Sequence, residues 1–523
     1  MKILALTFLL LFAQVQSQSS CPDYSEYSKA RHPPYSSGTY ALPYQRLPPA
    51  CRTFNSTIIE EVINSMSTLI HDPDLYRLFE NTLPNTLDTA IRWRGVAANN
   101  SAEELTFIIT GDINAMWLRD SANQLQSYHV FLPTSPDTTT DSLSSLFRGV
   151  INLQARYLLT SPFCNSFQPP PESGIPPATN GASASDTVFP PYDLQKVFEC
   201  KYELDSLAAF LQISTTYASI THDTAFFTKF QWVHAVRAAL STAKAMMTPT
   251  YDANGAVLNS PYTFTRLTTR TTETLANDGL GHPVARDIGL IRSAFRPSDD
   301  STTFQFLIPA NMMFAHYLQP TSDILFAINE TVLGQEIRDF GTSLRDAITT
   351  HGIVSVPSAK DGNETETIYA YEVDGFGSSL IMDDANVPSL LSAPLLGYTN
   401  PSDPVYLRTR NRILDSDSGN GNPYFMRGPV INAVGGPHAG PGMAWPMASI
   451  VRILTSQDDD EISKTLKEIL ASTCGLGLIH ESVNAFNASR WTRQWFSWAN
   501  GLFGQMIYDI KDRNPGILAQ SFQ

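Results

Sequence analysis

The residues that could do chemistry fall in six dense clusters, each placing carboxylates, arginines or a histidine among aromatic side chains. Thr110 to Ser121 carries Gly111, Asp112, Trp117, Arg119 and Asp120. Here Gly111-Asp112 reads as a loop, and Asp120-Ser121 as the cap of the helix that follows. Phe198 to Leu207 brings Glu199, Glu203 and Asp205 to the start of an apolar helix. Residues two apart on a helix point about 200° apart, so Glu203 and Asp205 cannot both face one cavity, and the period does not say which one does. Arg292, Arg296, Asp299 and Asp300 surround Pro297, while Met382-Asp383-Asp384-Ala385-Asn386 forms a fourth cluster and His438 sits in a Gly/Pro loop, Gly435 to Gly442. The sixth is His480-Glu481-Ser482, followed by Trp491, Trp495 and Trp498 at the spacing of one helix face.

Each cluster has a plain structural reading as a cap, an exposed ion pair or a core stripe. Together they offer sugar chemistry: aromatic rings stack on the C–H faces of a pyranose, while Asp, Arg, Asn and His bind its hydroxyls. Cleaving a glycoside then needs two carboxyl groups, one to protonate the leaving oxygen and one to activate water or attack carbon. Asp383 and Asp384 could hold a divalent cation through oxygen. The Asp/Asn/Gly alternation of a calcium loop is absent, and so are His-x-His and His-Glu-x-x-His spacings, so no metal is expected. No glycine cluster precedes a helix in nucleotide-binding form, so no cofactor is expected either.

The elements that must position these groups read as helices. Thr57 to Glu60 forms a capping box, and Ile58, Ile59, Val62, Ile63, Met66 and Ile70 recur at helical spacing. The period returns in Leu143 to Tyr157, in Phe226, Phe230, Val233 and Val236, and in Ile462 to Leu470, whereas alternating strand patterns are scarce. Long connections separate the helices, notably Pro133 to Ser142 and the Pro/Ser/Gly/Ala-rich stretch Gln168 to Thr187, read as a surface excursion. No linker divides the chain into two apolar blocks. The expected organisation is a signal peptide over 1–17, a Pro/Tyr-rich lead over 18–50 and one mainly helical domain over 51–523.

The first segment reads as an export signal: Lys2, then an apolar run from Ile3 to Phe12, then a small-residue site ending at Ser17. That run is too short to span a bilayer, so a secreted, soluble chain without membrane association is expected. Cys21, Cys51, Cys164, Cys200 and Cys474 become disulfide candidates, with at least one left over and no connectivity fixed. Sequons at Asn55, Asn99, Asn329, Asn363 and Asn487 suit a glycoprotein. Charged residues are only 16% of the chain and the net charge is −15, with no basic block, which argues against nucleic-acid partners.

Five ordered motifs resemble glycoside hydrolase family 125: Gly111-Asp112 through Trp117-Leu118-Arg119-Asp120-Ser121; Lys201 to Ser206; Phe295 to Asp300; Met382 to Asn386; and His480-Glu481-Ser482, closed by Trp495 to Gly504. They stretch from about residue 50 to about residue 510. The resemblance implies an all-α (α/α)6 barrel with long loops at its mouth, and a metal-independent, inverting exo-α-1,6-mannosidase. It implies Asp205 as general acid and Glu481 as general base, with Asp112, Trp117, Arg119, Asp120, Arg296, Asp383, Asp384 and His438 binding the substrate. The implied substrate is a mannose-containing oligosaccharide, an N-glycan or cell-wall mannan, and a monomer is expected. Two departures stand near Asp205: Cys200 replaces a basic residue of bacterial members, and 168–187 resembles an insertion. The alternatives are a calcium-dependent (α/α)6 α-mannosidase and a non-catalytic secreted mannose-binding protein.

Overall fold

The structure is a computed structural model that describes residues 21–358, 364–415 and 421–523. The export signal over 1–17 and the Asn363 sequon lie outside the described residues. Among these residues, twelve helices have nine residues or more: α1 (Thr57–Met66), α2 (Pro73–Thr82), α3 (Leu118–Gln126), α4 (Leu143–Thr160), α5 (Leu204–Thr221), α6 (Trp232–Ala245), α7 (Ile308–Ala327), α8 (Thr331–Ala347), α9 (Pro404–Ile413), α10 (Pro446–Leu454), α11 (Asp459–Ser472) and α12 (Ser497–Arg513). Helix α3 packs on α5, α5 on α7, α10 on α12, and α12 back on α3, forming the inner layer. Outside it, α8 covers α7, α11 covers α10, α2 covers α12, and α4 lies against α5 and α6. This is the (α/α)6-type fold.

Burial differs between the inner helix α5 and the outer helix α8. In α5, 15 of 18 residues are buried, as an inner helix surrounded by protein requires; in α8 only 6 of 17 are, in the stripe Leu333, Ile337, Gly341 and Leu344 that faces α7. Among these helices side-chain caps occur only outside the inner layer, where α6 and α8 also lack them. Outer helices α1, α2, α4, α9 and α11 begin at Ser56, Asp72, Ser142, Asp403 and Asp458, whose side chains accept first-turn amide N–H groups. Inner helices α3, α5, α7, α10 and α12 begin at Trp117, Glu203, Leu307, Trp445 and Phe496, with no side-chain cap. These N-termini gather at one end of the toroid, and the aromatic residues there are free to line what lies between them.

Three local readings are corrected. The cap of α1 is Ser56 instead of Thr57, and α3 starts at Leu118, so Asp120 sits inside its first turn instead of capping it. Trp491 ends a strand, Asn487–Trp491, and Trp498 lies at the start of α12, so the three tryptophans share no helix face. Strands are also commoner than their patterns suggest. Seventeen short strands in seven small sheets occur among the described residues, most of two to five residues, too short to show alternation. Several lead directly into inner helices: Met116–Trp117 into α3, Phe306–Leu307 into α7 and Met443–Ala444 towards α10.

The lead over 21–50 packs on the helical body. Cys21 is bridged to Cys51, Tyr24 meets Trp495 edge-on at 4.8 Å, and Arg46 bonds Glu60 and Asp88. The 168–187 stretch is pinned: Gln168 is buried and its amide bonds Ala178, Glu172 pairs with Arg156, and Ala178 packs beside Trp117 and Phe198.

Candidate active site

Between the uncapped inner N-termini lies a cavity of about 450 Å³ including its open mouth. Trp117, Arg119 and Asp120 come to it from the start of α3, Trp445 from the start of α10, and Phe496 from the start of α12. Loops add Thr110, Ile113, Ser298, Asp299, Asn386, His438, Glu481 and Arg493. Three carboxyl groups therefore reach the cavity: Asp120, Asp299 and Glu481. The indole N–H groups of Trp117 and Trp445, Asp120 Oδ2 and Asn386 Oδ1 have no protein hydrogen-bond partner, and sugar hydroxyls can satisfy such groups.

Asp299 is presented by a tight turn. Arg296 C=O accepts from Asp299 N–H at 2.9 Å with Pro297 at the second position, where its fixed φ suits the turn. Asp299 itself has φ +66°, an uncommon conformation for a residue with a side chain and one that clusters at functional sites. Its side chain keeps 27% exposure, against none for Glu203 and Asp205. Exposure decides which of these groups can meet a ligand.

Arg119 faces four carboxyl groups: Glu203 at 2.5 Å, Asp205 at 3.2 Å, Asp120 at 3.4 Å and Asp299 at 3.8 Å. One guanidinium cannot balance all four negative charges, three of them buried, so protons are retained. Burial, set against Arg119, raises Asp120 to about 6 and pushes Glu203 well above the carboxylate range. Burial also raises Asp205. Asp299 runs the other way: burial would raise it, but Lys201 and Arg119 hold it at about 2.

Glu481 lines the same cavity in a different setting. Thr492 Oγ1 donates to its Oε2 at 2.7 Å and Arg493 Nε lies 3.4 Å from its Oε1, while Arg493 also pairs with Asp112 at 3.2 Å. Neighbouring His480 is structural: stacked on Trp491 and held by the carbonyls of Arg493 and Thr473, it is driven by burial to about 4.

Of the residues expected here, Trp117, Arg119, Asp120, His438 and Glu481 line the cavity. Asp205 does not. It is wholly buried behind Arg119, and a general acid has to touch the glycosidic oxygen. Arg296 bonds Glu372 at 2.6 Å and borders a separate cleft with Thr272, Tyr424 and Pro437. Asp383 accepts the amides of Leu390 and Leu391, Asp384 accepts from Ser298 Oγ at 2.8 Å, and Asp112 reaches the site only through Arg493. These four support the lining without forming it. Sequence reasoning gave no role to Asp299, Asn386, Trp445, Arg493 or Phe496. The tandem Asp299-Asp300 after Pro297 was a usable signal for the first, whereas the others depend on tertiary approach. Cys200, the departure near Asp205, is disulfide-bonded to Cys164.

The family described as metal-independent α-mannosidase, glycoside hydrolase family 125, matches residues 72–508. The meiotically up-regulated gene 157 protein of Schizosaccharomyces pombe is 46% identical over 504 residues, covering 96% of this chain and 95% of its own. A Streptococcus pneumoniae metal-independent α-mannosidase, solved in a non-productive complex with α-1,6-mannobiose, superposes with a TM-score of 0.74 at 33% identity, covering 88% of this chain and 99% of that one.

Proposed function

The chain belongs to the metal-independent α-mannosidases of glycoside hydrolase family 125, and from that premise we propose that it removes single terminal α-1,6-linked mannose residues from N-glycans or mannan with inversion. Glu481 is the general base and Asp299, not Asp205, delivers the proton to the leaving oxygen. The observation that carries this reading is that Asp299 and Glu481 reach one small cavity from separate loops, with different partners. Glu481 is held by Thr492 and Arg493 as an acceptor for a water proton. Asp299 stands at the tip of its turn, where the glycosidic oxygen of a seated mannose can meet it. Inversion requires the two carboxyls to leave room for a water beneath the anomeric carbon, at a separation of about 6.5–9.5 Å.

Trp117, Trp445 and Phe496 supply faces for the ring, and Arg119, Asp120, Asn386 and His438 supply donors and acceptors for its hydroxyls. The α-1,6 linkage is suggested by the mannobiose bound to the pneumococcal relative. The export signal and the exposed sequons Asn55, Asn99 and Asn487 support action on extracellular or secretory-pathway glycans.

Proton NMR of α-1,6-mannobiose with the enzyme tests the mechanism directly. Early β-mannose, before mutarotation, is the expected product; early α-mannose would mean retention and remove Glu481 from its role. Turnover should be the same with and without a chelator. Asp299→Asn should lose mannobiose cleavage by about a hundredfold or more while sparing α-mannosyl fluoride, whose leaving group needs no proton.

A further inference from the structure

Asp299 poses a chemical problem as an acid, because Lys201 and Arg119 favour its ionised form. The group behind it offers the solution. Glu203 stands directly before α5 with its side chain wholly buried, and its carboxyl shares the Arg119 guanidinium with that of Asp299. Two carboxylates gathered on the same donors repel each other, which favours a proton on the buried one. The Asn165 amide spans the same pair, 3.2 Å from Glu203 Oε1 and 3.4 Å from Asp299 Oδ1. Other groups complete the surroundings: Arg119 and Asp120 from α3, Asp205 and Ser206 from α5, Lys201 from the segment before α5, and His438 and Arg493 from the facing loops.

Resting on the reading of Asp299 as acid, we propose that Glu203 stores the proton that Asp299 delivers, so that the pair works as one acid with a buried reservoir and an exposed outlet. In the forward step the Glu203 O–H breaks as an Asp299 O–H forms, and that proton passes to the glycosidic oxygen as the C1–O bond breaks. Water adds to C1 and gives its proton to Glu481. Glu481 then releases that proton to solvent while Glu203 takes one up, so the cycle consumes one water and no net proton. Glu203 touches no substrate; it acts through Asp299.

The test compares α-1,6-mannobiose, whose leaving group needs protonation, with α-mannosyl fluoride, which does not, from about pH 5 to about pH 9. Glu203→Gln should cut kcat/KM on mannobiose by about a hundredfold or more, leave the fluoride nearly unchanged, and move the alkaline limb to lower pH. Asn165→Ala removes a donor that favours both anions, so it should move the same limb to higher pH. A purely structural Glu203 would lower both substrates together and leave the limb in place, which would overturn the store. If Glu203→Gln fails to fold, the direction of the Asn165→Ala shift decides. If Asp299→Asn shows its selective loss and Glu203→Gln does not, the store alone falls; if Asp299→Asn keeps mannobiose turnover, the acid assignment falls first.

Discussion

Thr492 Oγ1 donates to Glu481 Oε2 at 2.7 Å, and Thr492 is itself in contact with Ser482 Oγ at 2.9 Å, so a chain of hydroxyls fixes one carboxylate oxygen. The other, Oε1, lies 3.4 Å from Arg493 Nε. A base held in this way is aimed. Thr492→Val keeps the shape and removes the donor; a hydrogen bond to a charged group is worth about 1.5–3 kcal/mol, so kcat should fall roughly tenfold or more. Mannobiose and mannosyl fluoride should suffer alike, because the base acts on water in both. Steady-state kinetics on the two substrates check this, and an unchanged kcat would mean that Arg493 alone orients Glu481.

Buried Asp383 gives a pH dependence of stability with a definite sign. Burial raises it to about 7, against the two amides of Leu390 and Leu391 that lower it, so the native state holds a proton that the unfolded chain releases near pH 4. Stability from this group is complete below the unfolded pKa and is lost as pH rises through about 7. Asp120 and Asp384, each raised to about 6 by burial, add to the same slope. Paired carboxylates such as Glu60 and Glu461, held low against burial by Arg46 and by Ser456 and Arg410, act with the opposite sign and in a more acidic range. Calorimetric Tm should therefore decline between about pH 4 and about pH 7, and Asp383→Asn, which cannot ionise, should flatten that decline.

The Cys164–Cys200 disulfide stands directly before Asn165 and Lys201, two residues that hold the Glu203 and Asp299 pair. Replacing both cysteines by alanine frees a loop closed over 36 positions, and chain entropy alone puts the loss at about 4 kcal/mol. The Tm should fall by a few degrees, with mannobiose turnover falling more than fluoride turnover as the acid loses register. Alanine at Cys21 and Cys51, which tie the lead and flank neither Asn165 nor Lys201, should lower Tm without that selectivity.

The helices were legible because their apolar residues keep a 3.6 period over many turns, as in α4 and α11. The mouth was less so. Strands of two residues have no period to read, and the cap signals that mark the starts of outer helices are missing from α3, α5, α10 and α12, where the site is built. Glu203 and Asp205 show the limit plainly. Their spacing on a helix predicts that they diverge, yet both meet Arg119 Nη1, at 2.5 and 3.2 Å, because Glu203 stands before the helix in extended backbone; neither enters the cavity, where Asp299 arrives from a turn 94 positions beyond Asp205 to take the exposed place. Side-chain type and spacing mark a catalytic neighbourhood, while the order of layers within it is set by tertiary packing.

Trp117 offers a separation of binding from folding. It is 6% exposed, packs against Phe198 at 5.5 Å and lines the cavity, yet its indole N–H has no partner in the protein. An unpartnered buried donor costs stability unless a ligand satisfies it. Trp117→Phe removes the donor and keeps an aromatic face, so Tm should hold or rise slightly while KM for mannobiose rises roughly threefold to tenfold, the worth of about one hydrogen bond. If calorimetry shows a lower Tm and kinetics an unchanged KM, the indole serves packing and the mannose hydroxyls lie elsewhere in the cavity.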